Sequence, residues 1–333
     1  MLSLIQPVNI PKSIFNNHFM SPLIHNYIIK NDSNFIKEST KIGNDSITIY
    51  TIKKESNIDA AVRIYAEVSN IAKLYAEEPR ASKMCCYIYL TDFPKQLDTE
   101  KDNITSSECN TATTTFYMQQ DYIEVAIWRR EEWQKVFYHE LVHAFGIDHI
   151  LIPESVSERR LKNIFPHYNG TIQEAYTEVL ATLLSNISQS GGSLTSLKDE
   201  NLFLSAQVNK IIYFMESTPE ERVELVQNSN KNNVNNKTGI EKIKQFFNHP
   251  NRYLDQSTNT GSYYFLKSMY LWYGIYKDNK LLDLKNILDK KYCNRIFYQV
   301  VLDALEKGEY IKWLESIYFK PNDTSIRLTY KSE

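Results

Sequence analysis

Residues 139–143 read His-Glu-Leu-Val-His, and those residue types at that spacing suit one kind of chemistry. On a helix, His139 and His143 fall one turn apart on the same face, with about 5–6 Å between β-carbons. That lets both imidazoles bind one zinc ion. Glu140 is turned roughly 100° from His139, so it stands beside the metal rather than on it. There a carboxylate can take a proton from a zinc-bound water and later hand it to a leaving amine. With 7 histidines in 333 residues, this arrangement arises by chance on the order of once in a hundred such chains. The competing reading is an ordinary amphipathic helix carrying two histidines, with Glu140 as a solvated charge.

A catalytic zinc takes three protein ligands and keeps one position open, and two residues compete for the third place. His149 completes H-E-x-x-H-x-x-G-x-x-H over positions 139, 140, 143, 146 and 149, the metzincin string. It reaches the metal only if the chain turns sharply at Gly146, since a continued helix points it roughly 80° away from His139. No methionine in a turn context follows; Met215 sits in the helical run IIYFMEST. The other candidate is Glu174, in Gly170-Thr-Ile-Gln-Glu174-Ala-Tyr-Thr-Glu178.

That stretch, with the HELVH segment, resembles the gluzincins, the thermolysin-like zinc peptidases, over about residues 110–188. The resemblance implies a zincin-like fold and zinc-dependent hydrolysis of peptide bonds, with Glu140 activating the water. It makes Glu174 the third ligand, which is favoured over His149. Glu178 then replaces the Asp that orients a ligand histidine through its far ring nitrogen. In zincins the edge strand before the active helix binds extended peptide by main-chain pairing, which puts Asn110, Thr113 and Thr115 against substrate. An oxyanion donor besides the metal is expected from His167 or Tyr168, just ahead of Glu174, with Tyr263 or Tyr264 as further candidates.

The elements that must position these groups follow from periodicity. Ile47–Ile52 reads as a strand, and a helical period runs from Asn57 through Tyr75 to a stop at Pro79. Cys85–Leu90 is a continuous apolar run, hence a central strand covered on both faces. Thr111–Met118 and Tyr122–Trp128 form a hairpin, the second strand half-buried with Ile123, Val125 and Ile127 on one face. At Arg129 the period becomes helical, with acidic Glu131 and Glu132 at the start and Gly146 at the end. A loop over 147–170 leads to a helix opened by Thr171 and Glu174, three residues apart as in a capping box. Beyond 190 the chain reads as helical: 198–216, 219–228, 239–247, 262–276, 281–289 and 294–317.

The expected fold is α+β and zincin-like: a small mixed sheet with an active-site helix, followed by a mainly helical C-terminal lobe. The expected division is an irregular segment over 1–46, a catalytic core over 47–190 and a helical lobe over 191–333 forming the other cleft wall. A charge of −2, from 38 basic and 40 acidic residues, argues against a nucleic-acid partner; a protein or peptide substrate is expected instead. No stretch approaches 18 apolar residues, so no membrane span is expected. Four cysteines without pairing rhythm, and Pro7 and Pro11 interrupting the first apolar residues, suggest reduced thiols and no signal peptide. The chain is therefore expected in the cytoplasm, or in a host cell entered without a classical signal. The 23 tyrosines, in a chain rich in Asn, Lys and Ile, read as the codon bias of an AT-rich genome such as that of a large DNA virus or an intracellular bacterium. The alternatives to a gluzincin-type peptidase are a metzincin-like one using His149, and a non-catalytic module in which zinc staples two helices.

Overall fold

The computed structural model describes residues 10–15, 17–55, 57–75, 81–101, 104–152, 171–227, 236–248, 261–306, 308–318, 323 and 325–327. The chain is α+β, with one five-stranded mixed sheet and a mostly helical remainder. It divides into two compact units: one of the chain up to Pro94 with Asn110–Ile147, the other of Lys95–Cys109 with the chain from Asp148 on.

The first unit is built on strands β1 (Ile36–Ile42), β2 (Asp45–Thr51), β3 (Lys83–Tyr89), β4 (Ala112–Tyr117) and β5 (Tyr122–Ile127), in the order β1-β2-β3-β5-β4. The β1/β2 and β4/β5 pairs are antiparallel hairpins, while β3 runs parallel to both β2 and β5. One sheet face carries Ile47, Ile49, Cys86, Ile88, Ile123, Val125 and Ile127, all buried. Helices α2 (Ile58–Ala72) and α3 (Trp133–Ala144) pack against the sheet and against each other. Their buried residues Ala61, Ile64, Val68, Val136, Phe137 and Leu141 recur at helical spacing. The other face carries Tyr50, Tyr89, Ala126 and Trp128, covered by Ile10, Ile14, Met20, Ile24 and Ile28 of the N-terminal segment.

The second unit is helical. Its central element is α4 (Ile172–Ser190), buried from Ala175 to Asn186 on every face. Thr171 caps it, the Glu174 N–H donating to Thr171 Oγ1 at 3.1 Å. The unit also contains α5 (Leu194–Met215), α6 (Pro219–Gln227), α7 (Asn236–Asn248), α8 (Lys267–Tyr276), α9 (Lys290–Glu306) and α10 (Glu309–Ser316), of which α5 and α8 pack on α4. A π-helical stretch, Gly261–Leu266, leads into α8 and is tied to the start of α4 by Ser262 Oγ donating to the Thr171 carbonyl at 2.9 Å.

Several elements depart from the sequence expectation. Within 1–46, α1 (Pro22–Lys30) and β1 are regular. Ser21 caps α1, with Pro22 at the first helical position, a start signal lost in a polar stretch. As an edge strand β1 has no fully buried residue, so it lacks the apolar alternation that marks strands. The helix from Ile58 ends at Ala72 rather than near Pro79, and residues 76–80 lie outside the described ones. Strand β5 is buried on both faces, not half-buried, because the N-terminal segment covers its second face. Residues 147–151 form a short helix where a loop was expected. The single helix expected over 294–317 is two, broken at Gly308 with φ +62°. The one over 281–289 is a 3-10 turn and a single helical turn, opened by Asp278 and Asp283.

Gly146 closes α3 with φ +69°, a conformation that favours glycine by about 1–2 kcal/mol over residues bearing a β-carbon. Gly146→Ala should lower the unfolding free energy by about 1 kcal/mol in urea titration. Unchanged stability would show that this turn relaxes without cost.

Candidate metal centre

Helix α3 is preceded by Glu132, buried and left-handed at φ +63°, so the acidic pair lies ahead of the first helical turn rather than inside it. From Trp133 onward nearly every residue is buried. Tyr138 OH donates to the Glu67 carboxylate and ties α3 to α2.

On this helix His139 is buried and His143 half-buried. Their Nε2 atoms are 2.9 Å apart, with ring planes inclined at 77° and centroids 4.6 Å apart. Two imidazole nitrogens therefore converge on one point, as the one-turn spacing predicts. Glu140 is also buried, at 7% exposure. Its carboxylate Oε2 accepts a hydrogen bond from Thr114 Oγ1 at 2.7 Å, and that hydroxyl lies 3.1 Å from the Glu140 carbonyl.

Glu174 stands in the first turn of α4 and is half-buried. His139 and His143 of the first unit and Glu174 of the second each offer one possible ligand atom. Among the described residues this is the group able to hold a metal ion. Two imidazoles and one carboxylate form a donor set that zinc accepts. The donors therefore fit the ion that the sequence suggested.

His149 does not join this group. It lies on the short helix after Gly146, not in a loop. Its Nδ1 is 3.2 Å from Gln173 Nε2 and its Nε2 is 3.8 Å from the Asp148 carboxylate, with nearly half its side chain exposed. The chain does turn at Gly146, but the turn leads into a helix that pairs His149 with a neighbour of Glu174.

Glu178, one turn beyond Glu174, is 2% exposed. Its Oε2 lies 3.6 Å from Lys267 Nζ, which also lies 3.5 Å from Glu200 Oε1. Lys267 is fully buried. One cation thus serves two interior carboxylates from α4 and α5, where charges persist only when paired.

The remaining expected site residues are dispersed. Asn110 uses its main-chain carbonyl to accept from Trp128 Nε1 at 3.2 Å and Arg129 Nε at 3.1 Å. Thr113 and Thr115 pair with Ala126 and Glu124, which puts their side chains on the sheet face away from α3. Tyr263 is half-buried and Tyr264 fully buried in the π-helical stretch. His167 and Tyr168 lie outside the described residues.

Sequence reasoning missed Thr114, although a signal for it existed. Ile123, Val125 and Ile127 mark the helix-facing side of β5, and across the hairpin Thr114 is the partner of Val125. Lys267 had no such signal, since a lysine on an amphipathic run reads as solvated.

No protein-family model, curated protein or solved structure matches this chain.

Lys267→Met should lower the unfolding free energy by about 3–5 kcal/mol, because it removes the cation from a buried ionic cluster. Urea denaturation of purified protein measures this. A loss below about 1 kcal/mol would show that the cluster is reached by water.

Proposed function

We propose that this protein is a zinc-dependent peptidase of gluzincin type with a zincin-like catalytic fold, in which His139, His143 and Glu174 hold the ion. The observation that carries the reading is the convergence of two imidazole nitrogens, 2.9 Å apart, on the helix that also bears a buried glutamate. The chemistry of the donor set, two imidazoles and the Glu174 carboxylate, supports Glu174 over His149. The contact between His149 and Gln173 points the same way.

Bound zinc supplies a Lewis acid that polarises the scissile carbonyl and acidifies water. The chain's own groups do the rest. Glu140 removes a proton from the attacking water as its oxygen bonds to the carbonyl carbon. Glu140 then delivers that proton to the amide nitrogen as the C–N bond breaks, leaving a free carboxylate and a free amine. Burial of Glu140 keeps bulk water from competing for that proton. Strand β4 ends the sheet, so its outer main-chain groups suit an extended peptide added as a further strand. On this reading Thr113 and Thr115 contribute main-chain contacts, because their side chains face away from Glu140, whereas the Asn110 carbonyl already serves Trp128 and Arg129. Glu178 is assigned the role of orienting a ligand histidine through its far ring nitrogen.

A single intact glutamate beside the ligands separates this reading from a structural zinc staple. A staple needs no base and closes its fourth position with protein. Glu140→Gln should reduce cleavage of labelled casein by at least about 10²–10⁴-fold while zinc content by mass spectrometry stays at the wild-type level. A Glu140→Gln protein that still cleaves would refute the assignment. Glu174→Ala should lose zinc during dialysis against a chelator far faster than His149→Ala; the reverse order would make the site metzincin-like.

A further inference from the structure

Thr114, which belongs neither to the metal ligands nor to their helix, donates a hydrogen bond to the proposed base. It stands mid-strand on β4, on the face turned toward α3, as the partner of Val125. Its Oγ1 lies 2.7 Å from Glu140 Oε2 and 3.1 Å from the Glu140 carbonyl oxygen. A hydroxyl has one hydrogen to donate. The carboxylate is nearer, and an ionised acceptor makes the stronger bond.

A glutamate side chain on a helix has three rotatable bonds and about 2 kcal/mol of rotamer freedom to lose. A general base must point at its proton within hydrogen-bond reach, so something has to remove that freedom. Packing alone constrains an oxygen poorly, whereas a short hydrogen bond to Oε2 fixes the carboxylate plane.

We infer that Thr114 is a positioning residue that holds Glu140 in its reactive orientation from the peptide-binding edge strand. This rests on the peptidase reading above. It also explains why a hydroxyl faces the helix on a sheet side otherwise lined by Ile123, Val125 and Ile127. A purely structural hydroxyl would serve the helix carbonyl and leave the carboxylate alone. The two roles differ in what they change: positioning acts on the chemical step and not on substrate affinity.

Thr114→Val keeps the shape and β-branching that a strand favours and removes only the hydroxyl; Thr114→Ser keeps the hydroxyl. With labelled casein as probe, Thr114→Val is expected to lower kcat about 10–30-fold, with KM within about twofold and zinc content unchanged. Thr114→Ser should recover most of that loss. Independently of turnover, ¹³C-carboxyl-labelled glutamate gives an NMR signal for Glu140, identified as the one lost in Glu140→Gln. That signal should move in Thr114→Val and return in Thr114→Ser. The proposal is overturned, with the peptidase reading intact, if wild type cleaves and Thr114→Val has an unchanged kcat. An unmoved Glu140 signal, or a loss that Thr114→Ser fails to restore, overturns it equally. If wild type cleaves nothing, the peptidase reading itself has failed and this role fails with it.

Discussion

Two imidazole nitrogens held 2.9 Å apart on a helix that is buried along most of its length set the terms for the first unit. If both lone pairs point inward they repel, and only a shared proton or a shared cation relieves them. Either way, the rings must be held. Helix α3 does this by burying Phe137, Leu141 and Val142 completely, packing on β4, β5 and α2, and hydrogen-bonding Tyr138 to Glu67. The left-handed residues Glu132 and Gly146 bracket it. Everything between these two points is committed to presenting one turn of side chains.

The same economy governs the buried charges. Glu178, Glu200 and Lys267 share one interior cluster, and removing any one member costs more than the cluster itself contributes. On the far face of the sheet, Glu124 is 3% exposed. It accepts from Ser13 N–H at 2.7 Å, Tyr122 OH at 2.8 Å and Tyr117 OH at 3.3 Å. Burial, reinforced by this carboxylate, pushes the Tyr117 phenol up to about 12, so the tyrosines stay protonated donors at neutral pH. That arrangement pins the N-terminal segment over the sheet. In these two clusters buried charges sit where several donors or a counter-ion converge on them.

Much of the candidate metal centre was legible because helix periodicity is local: His139, Glu140 and His143 need nothing beyond their own spacing. Glu174 was singled out by the resemblance of Gly170–Glu178 to the gluzincin ligand helix, while its spacing from Thr171 marks only the helix start. What could not be read depends on register across strands or on tertiary pairing. Thr114 requires knowing which hairpin residue lies opposite Val125, and Lys267 requires knowing that two carboxylates meet it. His149 was ambiguous because a glycine turn at 146 is compatible with several directions, and the next helix chose one of them. The sheet was half visible. Its central strand announced itself as the apolar run around Cys85 and Cys86, both buried and both free thiols, whereas edge strand β1 carried too little buried surface to register. Many of the tyrosines are core residues: Tyr50, Tyr89, Tyr138, Tyr176, Tyr264, Tyr270 and Tyr310 are all buried. No helix among the described residues is long and apolar enough to cross a membrane.

The central claim is that one ion is held by two imidazoles and one carboxylate, with a position left open. X-ray absorption spectroscopy of zinc-loaded protein, alongside a zinc count by mass spectrometry, addresses it most directly. One zinc per chain is expected, with only nitrogen and oxygen scatterers at about 2.0–2.2 Å and the multiple-scattering signature of two histidines. A sulfur shell at about 2.3 Å, or no stoichiometric zinc at all, would contradict it.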